Sequence, residues 1–337
     1  MSFLNRCSTI IRRSSKDLFF INLDKGISYN YYDSTNDYIF SNTLLEDNKM
    51  NFSNCYFTLN KLDEIYGVYV NSSLNILTAT NNSNTFIEKE VLNYDFNKFG
   101  ISFPYINIVG DNIHIFYYVY NLNSNNTCAL FHHVKQNNVW TENKIDFLNY
   151  FVLDNYKVVW IQNSPIVFYF KLVDGFEELF LCKFNISTLT WSNPIQVTNS
   201  KKNKLYLNIL KDNMNFYHLA FCENTNGSYS IRYLNGYLND SSFQINTDKY
   251  IVEPSANMYP SLMKKDSKLY LMWVDFGRLY TSFSDDLGKT WSDPKIDEFS
   301  LEENFIRANF YSNYKEDLSY NLNSVFTSEN DIGIIGF

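Results

Sequence analysis

The sequence predicts an all-β fold, a six-bladed β-propeller built from four-stranded antiparallel blades. An aromatic residue recurs every 48 to 57 residues, and short apolar runs alternate with tight polar turns between these recurrences. Repeats of this length are typical of propeller blades. The aromatic share of 18% also favours strands, because aromatic side chains suit half-buried pleated surfaces.

The blade count comes from the repeat. The pentapeptide TWSNP at 190–194 recurs as TWSDP at 290–294, a shift of 100 residues or two repeats. The recurring aromatic residues are Tyr29, Phe86, Trp140, Trp191, Phe243 and Trp291. Each is expected to open the outermost strand of a blade. The series therefore predicts six blades, with seven as the alternative count.

Each repeat is predicted to hold four strands, a to d from the propeller axis outwards. In the repeat that begins at Ile101, strand a is YINIV, strand b is IHIFYYVY, strand c is ALFHHV, and strand d begins at Trp140. Asn and Asp suit the tight turns between these strands, because they tolerate a positive φ. Long irregular segments are expected only at 35–52 and 297–320.

The two ends of the chain are expected to complete one blade. Residues 18–34 have the pattern of strands c and d with none before them, whereas 324–337 have that of strands a and b with none after. N-terminal outer strands and C-terminal inner strands then close the ring and leave no long exposed edge. Residues 1–337 are predicted as a single domain, with residues 1–16 as a flexible N-terminal tail.

Composition restricts the partners. A net charge of −8 and a pI near 5.1 argue against nucleic acid, which is bound through clustered Lys and Arg. The chain has no apolar run that would make a signal peptide or a membrane span, so we expect it in the cytoplasm or in a larger particle. Five widely spaced cysteines without a CxxC pair indicate reduced thiols, no metal site and no cofactor. The sequence indicates no particular oligomeric state.

One segment carries a recognisable motif. SDDLGKTW at 284–291 follows the pattern Ser/Thr-x-Asp-x-Gly-x-Thr-Trp, and NLDKGISY at 22–29 is a degenerate copy. In such a turn the Asp accepts backbone hydrogen bonds, the Gly supplies a left-handed conformation and the Trp buries a large ring. On these residues the chain resembles the sialidase (neuraminidase) superfamily, whose six-bladed propellers carry repeated Asp boxes, also called BNR repeats.

The resemblance implies a structural role for the motif, on the face opposite the active site. The residues given this role are Ser284, Asp286, Gly288, Thr290 and Trp291, together with Asn22, Asp24, Gly26, Ser28 and Tyr29. Both copies are expected in turns between strands c and d. The motif that identifies the family therefore indicates nothing about catalysis.

The resemblance gives an incomplete set of catalytic residues. Sialidases hold a substrate carboxylate with three arginines, use a Tyr paired with Glu as nucleophile, and use an Asp as acid/base. This chain has six arginines and no Arg-Ile-Pro motif. It is therefore predicted to be a divergent, non-catalytic member that binds a glycan or a protein. The alternative is a divergent glycoside hydrolase of the exo-sialidase type.

The candidate binding residues lie in loops predicted on the face opposite the Asp boxes. They are Arg278, Arg307, Asp275, Tyr311, Glu177 and Glu178. In the hydrolase alternative, Arg278 and Arg307 hold an anion and a loop carboxylate is the acid/base. Glu223 is expected in another loop of that face, and Arg232 is expected to be solvated or ion-paired.

Overall fold

The protein is nearly all β. The computed structural model describes residues 7–23, 25–124, 127–149, 156–328 and 334–335. Six sheets form a six-bladed β-propeller with four-stranded antiparallel blades, which confirms the predicted fold class and the count of six.

Three sheets come from the first part of the chain. Their strands are β1 Cys7–Arg12, β2 Leu18–Asn22, β3 Gly26–Tyr32, β4 Tyr38–Glu46, β5 Cys55–Leu59, β6 Ile65–Val70, β7 Leu74–Ala79, β8 Ile87–Leu92, β9 Phe99–Val109, β10 Asn112–Asn121, β11 Cys128–Gln136 and β12 Val139–Leu148. Within each sheet, consecutive strands pair antiparallel in chain order.

The remaining elements follow in the second part. They are β13 Lys157–Ile161, β14 Ser164–Val173, β15 Phe176–Asn185, β16 Thr190–Trp191, β17 Ile195–Gln196, β18 Lys204–Lys211, β19 Phe216–Thr225, β20 Ser228–Leu238, β21 Phe243–Tyr250, β22 Met258–Lys265, β23 Lys268–Asp275, β24 Arg278–Ser284, β25 Lys295–Ile296, α1 Phe299–Glu302, β26 Phe305–Ser312, a 3-10 turn Asp317–Ser319, β27 Tyr320–Leu322, β28 Ser324–Ser328 and β29 Ile334–Ile335. In the sheet of β13 to β17, both β16 and β17 pair with β15, and β27 pairs with the innermost strand β22.

Contacts divide the chain into two compact units. The first is Met1–Phe151 with Ile306–Leu318, and the second is Val152–Phe305 with Ser319–Phe337. In the first unit, the ring of Phe86 packs edge-on against Phe19 and Tyr29, with centroids 6.1 and 5.2 Å away. In the second unit, Trp291 packs edge-on against Tyr233 at 5.0 Å. Recurring aromatic residues thus fill the core of each unit. The single domain stays a prediction.

The N-terminal strand is a correction to the sequence prediction. Residues 7–12 form β1, so the predicted flexible tail is wrong for these residues. Ile10 and Ile11 are fully buried. The arginine that ends β1 also has a partner, since Arg12 Nη1 donates to both carboxylate oxygens of Asp317, at 3.1 and 3.0 Å. Burial of two β-branched side chains therefore outweighs the polar flank.

N-terminal and C-terminal strands share one sheet, as predicted, but the strands that meet are not the predicted ones. The C-terminal strand beside β1 is β26, which pairs with it in parallel, and the residues at 18–34 are not the first strands of the chain. The strands β4 and β26 occupy segments expected to be irregular. A mostly exposed strand such as β4 shows no apolar alternation, which explains why its sequence gives no signal. The predicted C-terminal hairpin is present as β28 and β29.

The aromatic series fits five blades and misses the first. Phe86 and Trp291 lie just before β8 and β25, whereas Trp140, Trp191 and Phe243 lie in the outer strands β12, β16 and β21. Tyr29 lies in β3, the third strand contributed by the N-terminal segment. The segment 22–29 therefore joins β2 to β3, and its assignment to a turn between strands c and d is wrong.

Two further observations concern the cysteines and the helices. Cys55, Cys128, Cys182 and Cys222 are buried thiols within strands. In the part of the chain that the structure describes, no helix has the length and hydropathy of a transmembrane span.

Candidate functional site

Arg278, the first residue of β24, is exposed and holds its hairpin against α1. Its Nη1 donates hydrogen bonds to the carbonyl oxygens of Ser300 at 2.8 Å and Leu301 at 3.1 Å. Asp275 lies opposite Arg278 in the same hairpin, and its carboxylate accepts a hydrogen bond from the hydroxyl of Ser255, 2.9 and 3.0 Å from the two oxygens. Both candidates therefore fix the shape of this hairpin.

Arg307 and Tyr311 lie in β26 and belong to the first unit. Arg307 is half-buried and stands opposite Cys7 in the parallel pair with β1. The hydroxyl of Tyr311 is hydrogen-bonded to that of Tyr56, and their rings pack edge to face at 6.2 Å. Tyr56 in turn packs on Tyr105 at 4.7 Å. Tyr311 is thus part of an aromatic cluster on the inner strands of this unit.

Glu177 and Glu178 lead to a buried ionic cluster in the second unit. Lys204, the first residue of β18, is fully buried, and its ammonium lies 2.9 Å from Oε2 of Glu178 and 3.5 Å from Oε2 of Glu223. The same ammonium donates to the carbonyl oxygens of Glu177 and Lys202, each at 2.7 Å. Burial lowers the pKa of Lys204, and the hydrogen bond and charge of Glu178 oppose that shift.

Glu178 accepts hydrogen bonds on both carboxylate oxygens. Its Oε1 receives the backbone N–H of Lys201 at 2.7 Å, and its Oε2 receives the hydroxyl of Thr198 at 2.6 Å. Glu177 differs because it is only half-buried, and its Oε2 accepts the backbone N–H of Lys204 at 3.0 Å. The predicted loop position of Glu177 and Glu178 is wrong, because both lie in β15. Their side chains accept hydrogen bonds from backbone N–H groups, and Glu178 is ion-paired with Lys204.

Glu223 lies near the end of β19 and not in the predicted loop. It is fully buried, and both of its carboxylate oxygens accept hydrogen bonds. Its Oε2 accepts hydrogen bonds from Arg232 Nη1 and the hydroxyl of Ser200, both at 2.7 Å, and its Oε1 accepts the hydroxyl of Tyr250. Burial would raise the pKa of Glu223, but these hydrogen bonds and the charge of Arg232 outweigh it, so the pKa lies below its ordinary value. The carboxylate is held ionised.

Arg232 connects the cluster to the outermost strand of the blade. Its Nε and Nη2 donate to the two carboxylate oxygens of Asp248 at 2.8 and 2.7 Å, a planar fork on a planar acceptor. Burial lowers the pKa of Arg232, but the hydrogen bonds and charges of Asp248 and Glu223 raise it by more, so the net shift is upward. Arg232 is therefore ion-paired, which is one of the two roles predicted for it.

A pocket of about 290 Å³ opens beside this cluster. Its lining combines the polar groups of Lys202, Thr225, Ser230, Tyr250 and Glu253 with the apolar side chains of Ile251, Val252 and Pro254. Half of these residues belong to the connection between β21 and β22, and Tyr250 ends β21. The pocket therefore lies at the outer strand of the blade, at the end that carries the hairpin between β19 and β20.

Tyr250 connects the pocket to the cluster. Its side chain is half exposed, while its hydroxyl donates to Glu223. The Lys202 ammonium lies 5.2 Å from the centre of the Tyr250 ring, 3.2 Å from its hydroxyl and 3.9 Å from Oε1 of Glu223. Burial and the bond to Glu223 raise the pKa of Tyr250. The pocket thus offers a neutral phenol held in a fixed orientation.

The turn at Ser284–Trp291 is held by its own side chains. Asp286 accepts the backbone N–H of Thr290 at 2.8 Å and its hydroxyl at 2.7 Å, and Ser284 Oγ accepts the N–H of Gly288 at 2.8 Å. The Trp291 indole donates to the carbonyl of Gly288 at 3.1 Å. Hydrogen bonds from Thr290 lower the pKa of Asp286 to about 2. Every contact named here is local to the turn.

The second copy of the motif has different contacts. Asn22 Oδ1 accepts the hydroxyl of Ser8 at 3.0 Å, and the Tyr29 hydroxyl donates to the carbonyl of Asn84 at 2.7 Å. Gly26 has φ of 132°, and a Cβ there would lie 1.9 Å from the carbonyl oxygen of Leu45. Ser28 lies opposite Asn22 in the pair of β2 and β3. Asp24 lies outside the described residues.

Replacing Asp286 by Ala is expected to lower the melting temperature by a few degrees and to leave ligand affinity unchanged, because Asp286 bonds within its own turn. Thermal melts and binding titrations of the same preparation measure both. Asp285→Ala is the matched control, since Asp285 is exposed and makes one long ion pair, 3.5 Å from Lys268. A loss of affinity at an unchanged melting temperature would assign Asp286 to a binding site instead.

Comparisons with known proteins identify the fold. No protein-family model and no curated protein matches the chain. The chain is similar to the α-L-arabinanase of Penicillium chrysogenum complexed with arabinobiose, with 9% identity, a TM-score of 0.54, and 83% of this chain and 95% of that chain covered. It is also similar to the GH93 α-L-arabinofuranosidase of Fusarium graminearum with arabinobiose, with 10% identity, a TM-score of 0.55, and 83% of this chain and 93% of that chain covered. A third similar structure is polysaccharide lyase Uly1, with 10% identity, a TM-score of 0.59, and 99% of this chain and 89% of that chain covered. The likeness is one of fold.

Sequence reasoning found the acidic members of the cluster and missed its centre. Glu177 and Glu178 were candidates, but Lys204 and Tyr250 were not. A signal was present, because Lys204 opens the apolar strand KLYLNIL and Glu223 ends the apolar run FYHLAFCE. A charged residue placed in a buried strand needs a partner of opposite charge.

Proposed function

We propose that the protein is a non-catalytic, carbohydrate-binding β-propeller, and that the pocket beside Tyr250 holds a sugar ring. The observation that carries the proposal is the composition of this pocket. A half-exposed aromatic ring stands among an ammonium, two hydroxyls and a carboxylate, with apolar side chains beside them. A sugar has a polar rim of hydroxyl groups and apolar C–H faces, so both kinds of lining have a use.

The state of the carboxylates supports a binding role over catalysis. A glycosidase needs a carboxyl group with a raised pKa that delivers a proton to the leaving group. The pKa of Glu223 is lowered, and both oxygens of Glu178 and of Glu223 accept hydrogen bonds. The arabinobiose complexes of two fold neighbours are consistent with a glycan ligand. The motif at 284–291 supports a sialidase-like origin.

A divergent glycoside hydrolase is the second candidate, and one contact favours it. The Tyr250 hydroxyl donates to Glu223, which is the type of pair that provides the nucleophile in sialidases. Arg232 lies in the same cluster, but Glu223 and Asp248 already occupy its guanidinium. The two candidates differ in whether a bound sialoside is turned over.

Tyr250→Ala is expected to weaken glycan binding at least about tenfold, because it removes the ring on which a sugar would stack. A glycan array and calorimetric titration of its strongest ligand measure the affinity. Tyr250→Phe keeps the ring and is expected to bind within a few fold of the wild type. Tyr237→Ala is the matched control, since Tyr237 is 53% exposed on β20 of the same blade and lies outside the pocket lining, against 50% for Tyr250.

A fluorogenic sialoside assay run on the same variants separates the two candidates. The binding module predicts no turnover by any variant. If the wild type turns over the sialoside and Tyr250→Phe does not, the binding-module proposal is wrong and the glycoside hydrolase is supported. If the wild type binds no glycan on the array, or Tyr250→Ala binds as well as the wild type, the proposed sugar pocket is wrong.

A further inference from the structure

Phe276 occupies the tip of the hairpin between β23 and β24 against local preference. Phe276 and Gly277 have φ of 46° and 73°, both in the left-handed region. A two-residue turn of this kind favours Asn, Asp or Gly at its first position, and a bulky side chain there is an outlier. The Phe276 side chain is also 79% exposed. Neither backbone conformation nor burial explains a phenylalanine at this position.

The equivalent hairpins of the same unit show the ordinary solution. The turn between β14 and β15 is Asp174-Gly175, with φ of 53° and 85°, and the turn between β19 and β20 is Asn226-Gly227, with φ of 55° and 89°. Three blades thus use the same turn geometry, and only the third has an aromatic residue at its first position. The backbone accepts Asn or Asp there, so the ring of Phe276 has a use other than folding.

Hydrogen bonds connect this turn to the wall of the pocket. Glu253 and Pro254 line the pocket, and the next residue, Ser255, donates its hydroxyl to the carboxylate of Asp275, which precedes Phe276. On the other side of the turn, Arg278 is held by the carbonyls of Ser300 and Leu301. Both ends of the turn are fixed, so the exposed ring stands on a rigid support beside the pocket.

We propose that Phe276 is a second sugar subsite, on which a neighbouring residue of an oligosaccharide stacks while another residue occupies the Tyr250 pocket. This inference rests on the proposed function and specifies its ligand as a glycan chain longer than one sugar. A pocket of about 290 Å³ has room for little more than one ring, so additional affinity for a chain requires a contact outside it. An exposed aromatic ring provides stacking area at little cost in side-chain entropy.

The test compares Phe276→Asn with the wild type on a length series of one glycan, from the monosaccharide to the hexasaccharide, chosen as the strongest array ligand. Phe276→Asn is expected to lose about tenfold in affinity for the longer members and nothing for the monosaccharide. Its melting temperature is expected to equal or exceed that of the wild type, because Asn suits the turn. Phe276→Tyr is expected to keep the affinity for long chains.

Met214→Asn is the control for removing exposed apolar surface at a turn, since Met214 lies between β18 and β19 and is 85% exposed. This variant is expected to leave all affinities unchanged. If the wild type prefers long chains and Phe276→Asn keeps that preference, the second subsite is wrong and the sugar pocket stands. If Tyr250→Ala abolishes binding while the wild type binds all chain lengths equally, the subsite is again wrong. Absence of any glycan binding by the wild type overturns both proposals.

Discussion

Acidification from pH 7 to pH 4 is expected to unfold the protein, because its buried histidines bind protons more weakly in the folded state than in the unfolded state. Burial lowers the pKa of His114 and of His218 to about 4, and it lowers that of His132 as well, with the charge of His114 adding to the effect. All three side chains are fully buried. An unfolded histidine titrates near 6.5, so the unfolded state binds more protons over this pH range.

The sign and window follow from these values. His114 and His218 each contribute their full stability above about pH 6.5, lose it as the pH falls towards 4, and lose no more below that. A pKa lowered from 6.5 to about 4 corresponds to about 3 kcal/mol for each of His114 and His218. Together they amount to a large part of the ~5–15 kcal/mol by which a typical domain is stable.

Urea unfolding at a series of pH values measures this loss. His218→Gln is the diagnostic variant, since the His218 ring nitrogen lies 2.7 Å from the Tyr233 hydroxyl and a Gln amide keeps a polar partner there without titrating. The variant is expected to lose less stability between pH 6.5 and pH 4 than the wild type. A wild-type unfolding free energy that stays constant over this range would contradict the assigned protonation states.

The fold was predictable because its signal repeats. A single match at Ser284–Trp291 could arise by chance, but aromatic residues such as Trp140 and Trp191 recur at blade length. Trp140 packs against a core cluster and Trp191 packs against Phe184. The prediction failed where the repeat is incomplete. The strand β1 has only the short apolar pair Ile10-Ile11, and arginine flanks it, so its strand character depends on partners far away in sequence such as β26.

The candidate site was less predictable for the same reason. Its ion pairs join Lys204 to Glu178 and Glu223, and Arg232 to Asp248, across separate strands and connections. The apolar runs around Lys204 and Glu223 indicate that each needs a partner, but they do not indicate which residue it is. The pocket is equally non-local, because it forms where the connection after β21 passes the ends of β19 and β20. Sequence spacing does not predict contacts between segments so far apart in the chain until the strand register is known.

Replacing Lys204 by Met is expected to destabilise the protein by about 3–5 kcal/mol, the typical cost of removing one member of a buried ion pair. The variant leaves Glu178 and Glu223 buried without the ammonium between them, and the carbonyls of Glu177 and Lys202 lose a donor. Chemical denaturation at pH 7 measures the change. Lys202→Met is the matched control and is expected to cost less than about 1 kcal/mol, because the Lys202 side chain is 37% exposed.

A double variant shows whether the cost comes from uncompensated charge or from lost packing. Adding Glu178→Gln to Lys204→Met removes one buried negative charge, and the Gln side chain still offers an oxygen to the backbone N–H of Lys201. The double variant is therefore expected to be more stable than Lys204→Met alone, with a coupling energy above about 1 kcal/mol. If the two effects instead add, the cluster acts through its shape. The pocket beside Tyr250 would then need another source of rigidity, since Tyr250 is held by Glu223 of the same cluster.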